Sequence, residues 1–310
     1  MAETVRLIDP RRLNRNPENP RLIFHADELQ ALQDSIERQG ILVPLTVYHD
    51  NRKYFILDGE RRWRSAVKLG LTRVPVIVQP KPDRLQNIMM MFAIHNARKD
   101  WDPLPTAYKL RELEREFESR EGRQPTESEL AELSSLRRGE VRRLKKLLNL
   151  PEHYRQELMA ELERPRSEQK ITVDHVLEVT NAATSLRKRA IISATEEDQL
   201  RRALLDKFRS GAIVNTVAPR KLARMARAVE REEIAVSTAK RAVRRLISDP
   251  TYTIDQAFQA TVEQVDFEHG LELLIDRIAA RLEEHEEREY EVGESLRSAI
   301  RRLKRVLRRF

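Results

Sequence analysis

Residues 59–65, with the sequence GERRWRS, are the part of this chain best suited to hold a phosphate. They follow a strand-like run and begin a helical pattern, so they should present free backbone N–H groups and the positive end of a helix dipole. Gly59 lets the backbone approach a ligand closely, while Arg61 and Arg62 can donate paired hydrogen bonds to phosphate oxygens. An exposed basic helix start explains the same residues without a ligand, and composition alone leaves both interpretations open.

The spacing of apolar residues predicts a helix-turn-helix at residues 126–148. Thr126 fits the cap of a capping box, with Glu129 reaching back to it. A turn at residues 134–135 separates the two helices, and Ser135 stands where glycine is common. The residues expected to face inward are Leu130, Ala131 and Leu133 on the first helix and Val141, Leu144 and Leu148 on the second. In this arrangement the second helix enters the major groove of DNA.

The second of these helices is strongly basic. Residues 137–146 contain six Lys or Arg and one acid, Glu140. Because arginine can pair with guanine O6 and N7, the candidates for base or nearby phosphate contacts are Arg137, Arg138 and Arg142. The remaining cations are expected to contact phosphates, which position the protein without specifying sequence; they are Arg143, Lys145 and Lys146. A solvated basic face is the alternative.

Composition limits the remaining chemistry. The 310 residues include 58 Lys or Arg and 50 Asp or Glu, for a net charge of +8, which permits a nucleic-acid partner. The absence of cysteine excludes disulfides, thiolate metal sites and a cysteine nucleophile. No signal peptide is evident, and no apolar run approaches the ~20 residues that span a bilayer. We therefore expect a cytoplasmic protein without a membrane partner.

Strand-like patterns are concentrated in the first hundred residues. Runs at residues 45–48 and 54–57 flank a polar hairpin-like connection, and residues 74–78 form another run, whose Pro75 suggests a strand start or an edge. Helical periodicity covers residues 27–39 and 60–69. Beyond Pro103 the patterns are helical, apart from a polar linker or loop at residues 161–170.

The succession of motifs resembles the ParB family of partition proteins, whose N-terminal domain shares its fold with sulfiredoxin. The resemblance covers residues 5–160 and is carried by residues 16–21 (NPENPR), 40–45 (GILVPL), the GERRWRS segment and residues 71–78. It implies an α+β N-terminal domain of the ParB/sulfiredoxin type, an all-α helix-turn-helix domain and a helical C-terminal region. The expected boundaries are 1–100 for nucleotide binding, 101–160 for DNA binding, 161–250 for a helical domain or linker, and 251–310 for dimerisation.

The resemblance also implies a CTP site. Carried over by position, the nucleotide-binding residues are Gly40, Pro44, Gly59, Glu60, Arg61, Arg62 and Asn96. A family element of Glu-Asn followed by Arg serves Mg²⁺, and here Asn96 is present while His95 replaces the carboxylate and Arg98 lies one residue closer. Because Mg²⁺ prefers oxygen ligands, we expect slow or absent CTP hydrolysis, with Asn96 as the candidate metal residue.

The C-terminal sixty residues show two apolar stripes on helices separated near Gly293. The stripes are Leu271, Leu274, Ile278 and Leu282 on the first helix and Leu296, Ile300, Leu303, Leu307 and Phe310 on the second. An acidic segment at residues 281–294 precedes a basic one at residues 295–310. These blocks suggest an antiparallel hairpin or a self-paired dimer. The alternative is that the basic end contacts DNA or an anionic membrane surface.

The function implied by the resemblance is that of a dimeric, nucleoid-associated partition protein for chromosome or plasmid segregation. It would bind double-stranded DNA specifically at a palindrome, close into a clamp when CTP binds, and have a ParA-type ATPase as partner. A transcriptional regulator on the same scaffold is an alternative that the sequence leaves open. A kinase would not need the helix-turn-helix, and a nuclease would need more clustered carboxylates than Asp58 and Glu60. Sulfiredoxin chemistry is excluded because it requires a cysteine.

Overall fold

The N-terminal part of the chain is an α+β domain, as predicted. The computed structural model describes residues 4–96 and 102–309. The strands are β1 (Val5–Ile8), β2 (Leu13–Asn14), β3 (Leu45–Asp50), β4 (Lys53–Asp58) and β5 (Val74–Gln79). They form one sheet in the order β1-β5-β3-β4-β2. The helices of this part are α1 (Ala26–Gln39), α2 (Glu60–Lys68) and α3 (Arg84–Asn96).

The hairpin between β3 and β4 confirms the predicted polar connection. Asn51 and Arg52 both have positive φ angles, 44° and 66°, which is the geometry of a two-residue turn that matches strand twist. Above this sheet the core is built from Leu45, Val47, Ile56, Val74 and Val76, all of them buried. The opposite face of β3 and β4 is also packed, because Tyr48 and Leu57 form a second buried cluster with Met91 of α3.

Strand β5 starts near its proline but is not an edge. Pro75 is the second residue of β5, so the predicted strand start is correct. The edge alternative is wrong, because β1 pairs with β5 antiparallel, with Leu7 opposite Pro75. The four-residue run that forms β1 was not predicted as a strand. The apolar residues Val5 and Leu7 of this strand are exposed, so β1 does not have the buried apolar face that identifies a strand.

All described elements after residue 102 are helical. They are α4 (Pro103–Glu121), α5 (Glu127–Leu133), α6 (Arg138–Leu148), α7 (Glu152–Glu163), α8 (Val173–Lys188), α9 (Ala194–Ser210), α10 (Arg220–Glu230), α11 (Val236–Ser248), α12 (Ile254–Gln259), α13 (Glu263–Glu287) and α14 (Glu294–Leu307), beside a short 3-10 turn at Arg166–Glu168. The expected linker thus starts later than predicted, because α7 continues through Glu163. Within the described residues, no helix is long and apolar enough to cross a membrane.

The chain divides into two compact units. The first comprises Met1–Thr180 with Leu205–Thr216, and the second comprises Asn181–Leu204 with Val217–Phe310. The second unit has its own core, in which α10, α11 and α12 pack together through Leu222, Met225, Val243 and Phe258. Neither α13 nor α14 contains a buried residue.

Candidate nucleotide pocket and nucleic-acid interface

The start of α2 has the geometry expected of a phosphate site. Gly59 has a left-handed backbone, with φ of 98°, and immediately precedes the helix. A Cβ atom at this position would lie 3.0 Å from both Leu45 Cγ and Arg62 Nη2, so a larger residue would have to displace these side chains in addition to straining the backbone. The N-cap residue of α2 is Gly59, which has no side chain to cap the first turn. The N–H groups and positive dipole end of the helix are therefore available to an anion.

A cavity of about 280 Å³ lies at this helix start. It is lined by Asn19, Arg21, Phe24, Leu32, Ile56, Leu57, Asp58, Gly59, Glu60, Arg61 and Arg62. The structure thus brings together the four predicted residues at 59–62. The loop before α1 contributes Asn19, Arg21 and Phe24 to the lining, and α1 contributes Leu32. The cavity therefore has both anion-binding and apolar surface.

Arg62 connects the helix start to two other segments. Its Nη2 donates to Asp58 Oδ2 at 2.9 Å, and its Nη1 donates to the carbonyl oxygen of Pro44 at 2.9 Å and also to that of Val43. The predicted residue Pro44 therefore contacts the site through its carbonyl, although it does not line the cavity. A phosphate that bound Arg62 would compete with the Asp58 carboxylate for the guanidinium.

Arg61 has an incompletely satisfied guanidinium. Its Nη2 donates a hydrogen bond of 2.9 Å to the backbone carbonyl of Glu28, while its Nε is buried and has no hydrogen-bond partner among the described residues. Burial alone would raise the pKa of the Glu28 carboxyl, but this pKa is lowered because Arg166 donates a hydrogen bond to it and Arg21 and Arg61 lie nearby. A buried unpaired donor is costly, so Arg61 is well placed to gain from an anionic ligand.

Glu60 points its carboxylate at protein groups. Asn19 Nδ2 donates to its Oε2 at 2.6 Å, and Arg64 donates to its Oε1 through Nε at 2.9 Å and Nη2 at 2.6 Å. The side chain is buried, and Arg15 Nε lies 3.7 Å from Oε1. In this arrangement Glu60 holds the residue 16–21 loop against α2. Its predicted role in binding nucleotide remains a prediction.

The loop at residues 16–21 positions pocket residues for which no role was predicted. Asn16 is fully buried and exchanges hydrogen bonds of 2.8 and 3.1 Å with Asn87 on α3. Asn19 Oδ1 accepts the backbone N–H of Arg21 at 2.9 Å, which turns the chain toward the cavity. Arg21 then donates to Glu28 Oε2 at 2.8 Å. The NPENPR motif was the available signal, since Asn and Pro are turn formers.

The other predicted nucleotide and metal residues lie apart from the cavity or cannot be placed at the side-chain level. Gly40 ends α1, with its N–H donating to the Ile36 carbonyl at 2.7 Å. Asn96 is the last residue of α3, but the side chains of His95 and Asn96, and Arg98 entirely, are outside the described part of the chain. Among the described residues, no group of three or more His, Cys, Asp or Glu could hold a metal ion. The Mg²⁺ site thus remains a prediction.

The predicted capping box before α5 is present. Thr126 Oγ1 accepts the N–H of Glu129 at 3.2 Å, and Glu129 Oε2 accepts the N–H of Thr126 at 2.8 Å. Arg123 also donates to the Glu129 carboxylate. The hydrogen bonds from Arg123 and Thr126 lower the pKa of Glu129 to about 2. The start of α5 is therefore fixed by its local sequence.

The turn between α5 and α6 explains the tolerance of serine there. Ser135 adopts a left-handed φ of 54°, and the N–H of Leu136 donates to the Ala131 carbonyl at 3.0 Å. This is a Schellman helix end, in which glycine is common but not required. The next residue, Arg137, precedes α6, and its N–H donates to Glu140 Oε2 at 3.0 Å.

The inward face of α6 differs from the prediction at one position. Val141 and Leu144 are buried, as predicted, but Leu147 rather than Leu148 is the third buried residue. Leu148 is half-buried, because α4 and α5 cover the line from Val141 through Leu144 to Leu147. On α5, Leu130 is fully buried, while Ala131 and Leu133 are half-buried.

The basic residues of α6 and of its N-cap form two groups, those with an ion pair and those without one. Arg142 pairs with Glu127 at 2.7 Å, Arg143 with Asp174 at 2.7 Å, and Lys145 with Glu114 at 2.6 Å. Within the described residues no ion pair engages Arg137, Arg138 or Lys146, all of them exposed. Since 3.6 residues make a turn, Arg138, Arg142 and Lys146 lie along one exposed side of the helix. This side presents three cations to solvent.

Comparisons with known proteins support the motif resemblance. The family model described as the ParB N-terminal domain matches residues 1–95. A probable chromosome-partitioning protein ParB from Xylella fastidiosa is 36% identical over 152 residues, covering 48% of this chain and 46% of the relative. The chain therefore spans about half the length of the curated relatives it matches.

Two solved structures are also similar. A C-terminally truncated ParB from Caulobacter crescentus, complexed with CTP-γ-S, is 29% identical with a TM-score of 0.29, covering 51% of this chain and 85% of that one. The same truncated protein, complexed to the centromeric parS site, is 22% identical with a TM-score of 0.37, covering 77% of this chain and 99% of that one.

Proposed function

We propose that this chain, whose residues 1–95 match the ParB N-terminal domain, is a site-specific DNA-binding protein of the partition type with a pocket that binds CTP. The observation that carries the DNA part is the exposed line of Arg138, Arg142 and Lys146 on the second helix of a helix-turn-helix. A helix of this kind places its N-terminal residues against base edges. Arg137 and Arg138 occupy that end of α6.

The nucleotide part rests on the start of α2. The uncapped helix end, the Nε of Arg61, which has no partner among the described residues, and the glycine at position 59 together fit a triphosphate. Arg61 and Arg62 are the proposed phosphate ligands, with Gly59 allowing close backbone approach. The choice of CTP over other nucleotides follows from the motif resemblance. Mg²⁺, when bound, would neutralise part of the phosphate charge, and Asn96 is its proposed protein ligand.

The same proposal includes a homodimer on a palindromic site, a CTP-closed clamp and a ParA-type ATPase as partner. The exposed apolar residues of α13 and α14 support the dimer, since chains seldom leave such stripes uncovered. Support for the clamp and for the ATPase comes from the family resemblance. A nuclease or kinase is disfavoured because the two acids at the pocket, Asp58 and Glu60, are both engaged by arginines.

Calorimetry with Arg61→Ala tests the nucleotide pocket. A hydrogen bond to a charged group is worth ~1.5–3 kcal/mol, so the variant should bind CTP about 10-fold to 100-fold more weakly. Lys68→Ala is the matched control, because Lys68 is an exposed cation on the same helix that does not line the cavity. Equal CTP affinity in both variants would remove this cavity from the proposal.

Titration of duplexes with Arg138→Ala tests the DNA interface. On a parS duplex, loss of a base contact should cost ~1–3 kcal/mol, while binding to a scrambled duplex should fall less. Arg115→Ala on α4 is the control, as an exposed arginine outside the helix-turn-helix. If Arg137→Ala, Arg138→Ala and Arg142→Ala each weakened both duplexes equally, α6 would not be the specificity helix.

A further inference from the structure

The second unit carries a basic helix that the proposed function does not use. Helix α11 contains Lys240, Arg241, Arg244 and Arg245 and no acidic residue. All four cations lie on one side of the helix. The opposite side is buried and consists of Ala239, Ala242, Val243 and Leu246. The helix is therefore anchored by a small apolar face and presents a row of cations to solvent.

Two of these cations are free of ion pairs among the described residues. Arg244 pairs with Glu196 at 2.8 Å and Arg245 with Asp249 at 3.5 Å. Arg241 is exposed and contacts only the Thr238 hydroxyl, at 3.3 Å, while Lys240 is half-exposed. The paired arginines also remain mostly exposed, at 61% and 62% of their side-chain surface. Arg245 also stacks on the buried ring of Tyr252, with its Cζ 4.1 Å from the ring centroid. An extended anion would therefore compete with carboxylates for Arg244 and Arg245, whereas Lys240 and Arg241 can bind it without breaking an ion pair of the described residues.

The connection before α11 resembles the turn before α6. Glu232 has a left-handed φ of 60°, and the N–H of Glu233 donates to the Ala228 carbonyl at 3.0 Å, as Leu136 does to Ala131. The connection is one residue longer than the one before α6. The first turn of α11 has no side-chain cap.

This turn alone does not indicate DNA binding, because it also joins α8 to α9. There Ala190 has a φ of 55°, and Ile191 donates to the Leu186 carbonyl at 3.1 Å. Helix α9, however, has acids in its first turn, Glu196 and Glu197. Such a helix start would repel a phosphate backbone. Charge therefore distinguishes α11 from α9.

We propose that α11 is a second DNA-binding surface, which contacts the phosphate backbone of double-stranded DNA independently of sequence. Duplex DNA carries one charge per about 1.7 Å of its axis, so four cations within about one and a half helical turns can meet several phosphates. The exposed Ser237 and the uncapped N–H groups at the start of α11 add hydrogen-bond donors for phosphate oxygens. Helix α6 belongs to the first unit and α11 to the second, so the chain would have two DNA contacts, one selective and one general.

The salt dependence of binding to a scrambled duplex tests the proposal in the full chain. Each phosphate contact changes the slope of log affinity against log salt by about one, so Lys240→Ala/Arg241→Ala should reduce the slope by about two. Lys188→Ala/Arg202→Ala is the control, since it removes the same charge from exposed residues of the same unit. An unchanged slope in the α11 variant, or an equal reduction in the control, would overturn the proposal.

Two further measurements distinguish DNA binding by α11 from DNA binding by α6 and from misfolding of the α11 variant. Arg138→Ala/Arg142→Ala should weaken parS binding while leaving the contribution of α11 to the salt slope intact, so the two proposals can fail independently. In the unmodified protein, scrambled duplex should protect Lys240 from acetylation but leave Lys188 reactive, as read by mass spectrometry. If Lys240 stayed as reactive with DNA as without it, or was protected instead by a peptide of the acidic segment at residues 281–294, DNA would not be the partner of α11.

Discussion

Gly59 is the residue whose geometry constrains the pocket most tightly. Its φ of 98° lies in the left-handed region, and an added Cβ would meet Leu45 and Arg62 at 3.0 Å. We expect Gly59→Ala to destabilise the first unit by ~2–4 kcal/mol, combining backbone strain with steric overlap. Thermal melting of the full chain without nucleotide measures this loss.

Gly122→Ala separates the two causes. Gly122 has a similar left-handed φ of 67°, but nothing lies within 4 Å of its added Cβ. Its substitution should therefore cost only the backbone term, ~1 kcal/mol. Equal losses of stability in the two variants would show that contacts of the added Cβ with Leu45 and Arg62 do not contribute to the destabilisation by Gly59→Ala.

His95 provides the prediction about hydrolysis. Imidazole is a poor ligand for Mg²⁺, so we expect slow or absent release of phosphate from CTP when DNA is present. His95→Glu restores an oxygen ligand at this position and should increase turnover. Phosphate release is compared in the two proteins at saturating CTP. Rapid turnover by the unmodified chain would contradict the inference from this substitution.

At the residue scale, the sequence predicts what is local. Gly59, Arg61 and Arg62 belong to one strand–helix junction, and their pattern indicates a phosphate site without knowledge of the fold. Asn19 could not be predicted in the same way, because its contact with Glu60 joins residues 41 positions apart in the chain. Long-range contacts of this kind depend on how the loop folds back over α2.

Helix α5 provides a prediction about an element. Its N-terminus depends on the Thr126–Glu129 capping box, so Thr126→Ala should destabilise the first unit by ~1 kcal/mol. Denaturant titration measures the change, with Ser128→Ala as control, because that residue lies in the first turn without serving as the cap. Equal stability of Thr126→Ala and the unmodified chain would show that tertiary packing alone fixes this helix.

The same capping box should respond to acid. The pKa of Glu129 is lowered from 4.5 to about 2 by its hydrogen bonds to Arg123 and Thr126. A lowered folded-state pKa stabilises the fold above the unfolded-state value, and this contribution is lost as pH falls from about 4.5 toward about 2. Glu129→Gln should therefore remove part of the pH dependence of stability within that window, as measured by melting at several pH values.

Elements with strong periodicity were predicted, and weak ones were not. The hairpin of β3 and β4 has turn residues and apolar runs, whereas β2 has two residues and is defined only by pairing with β4. On α6, the helical period places Leu148 between Val141 and Leu144 and therefore favours it over Leu147 as the third inward residue. Packing against α4 and α5 decides it in favour of Leu147.

At the scale of the whole molecule, the C-terminal helices should hold a dimer. On α13, Phe267 is 67% exposed and Ile275 is 56% exposed, and no residue of α13 or α14 is buried. Truncation after residue 262 removes these helices yet keeps α12, whose Ile254 and Phe258 are buried in the second unit. We expect the truncated chain to sediment as a monomer without nucleotide.

The truncated chain should also lose avidity for a palindrome. A dimer that binds two half-sites has an affinity ~10²–10⁴ higher than one chain on one half-site, so the truncated chain should bind parS more weakly by that factor. The loss should be smaller if two truncated chains associate on the DNA. A full-length variant, Leu274→Asp/Ile278→Asp, tests the apolar stripe without shortening the chain, and Glu283→Gln on the same helix is its control. Tight dimers in both the truncated chain and the stripe variant would place the main interface in residues 4–262, because the apolar surface of α13 would then be dispensable for association.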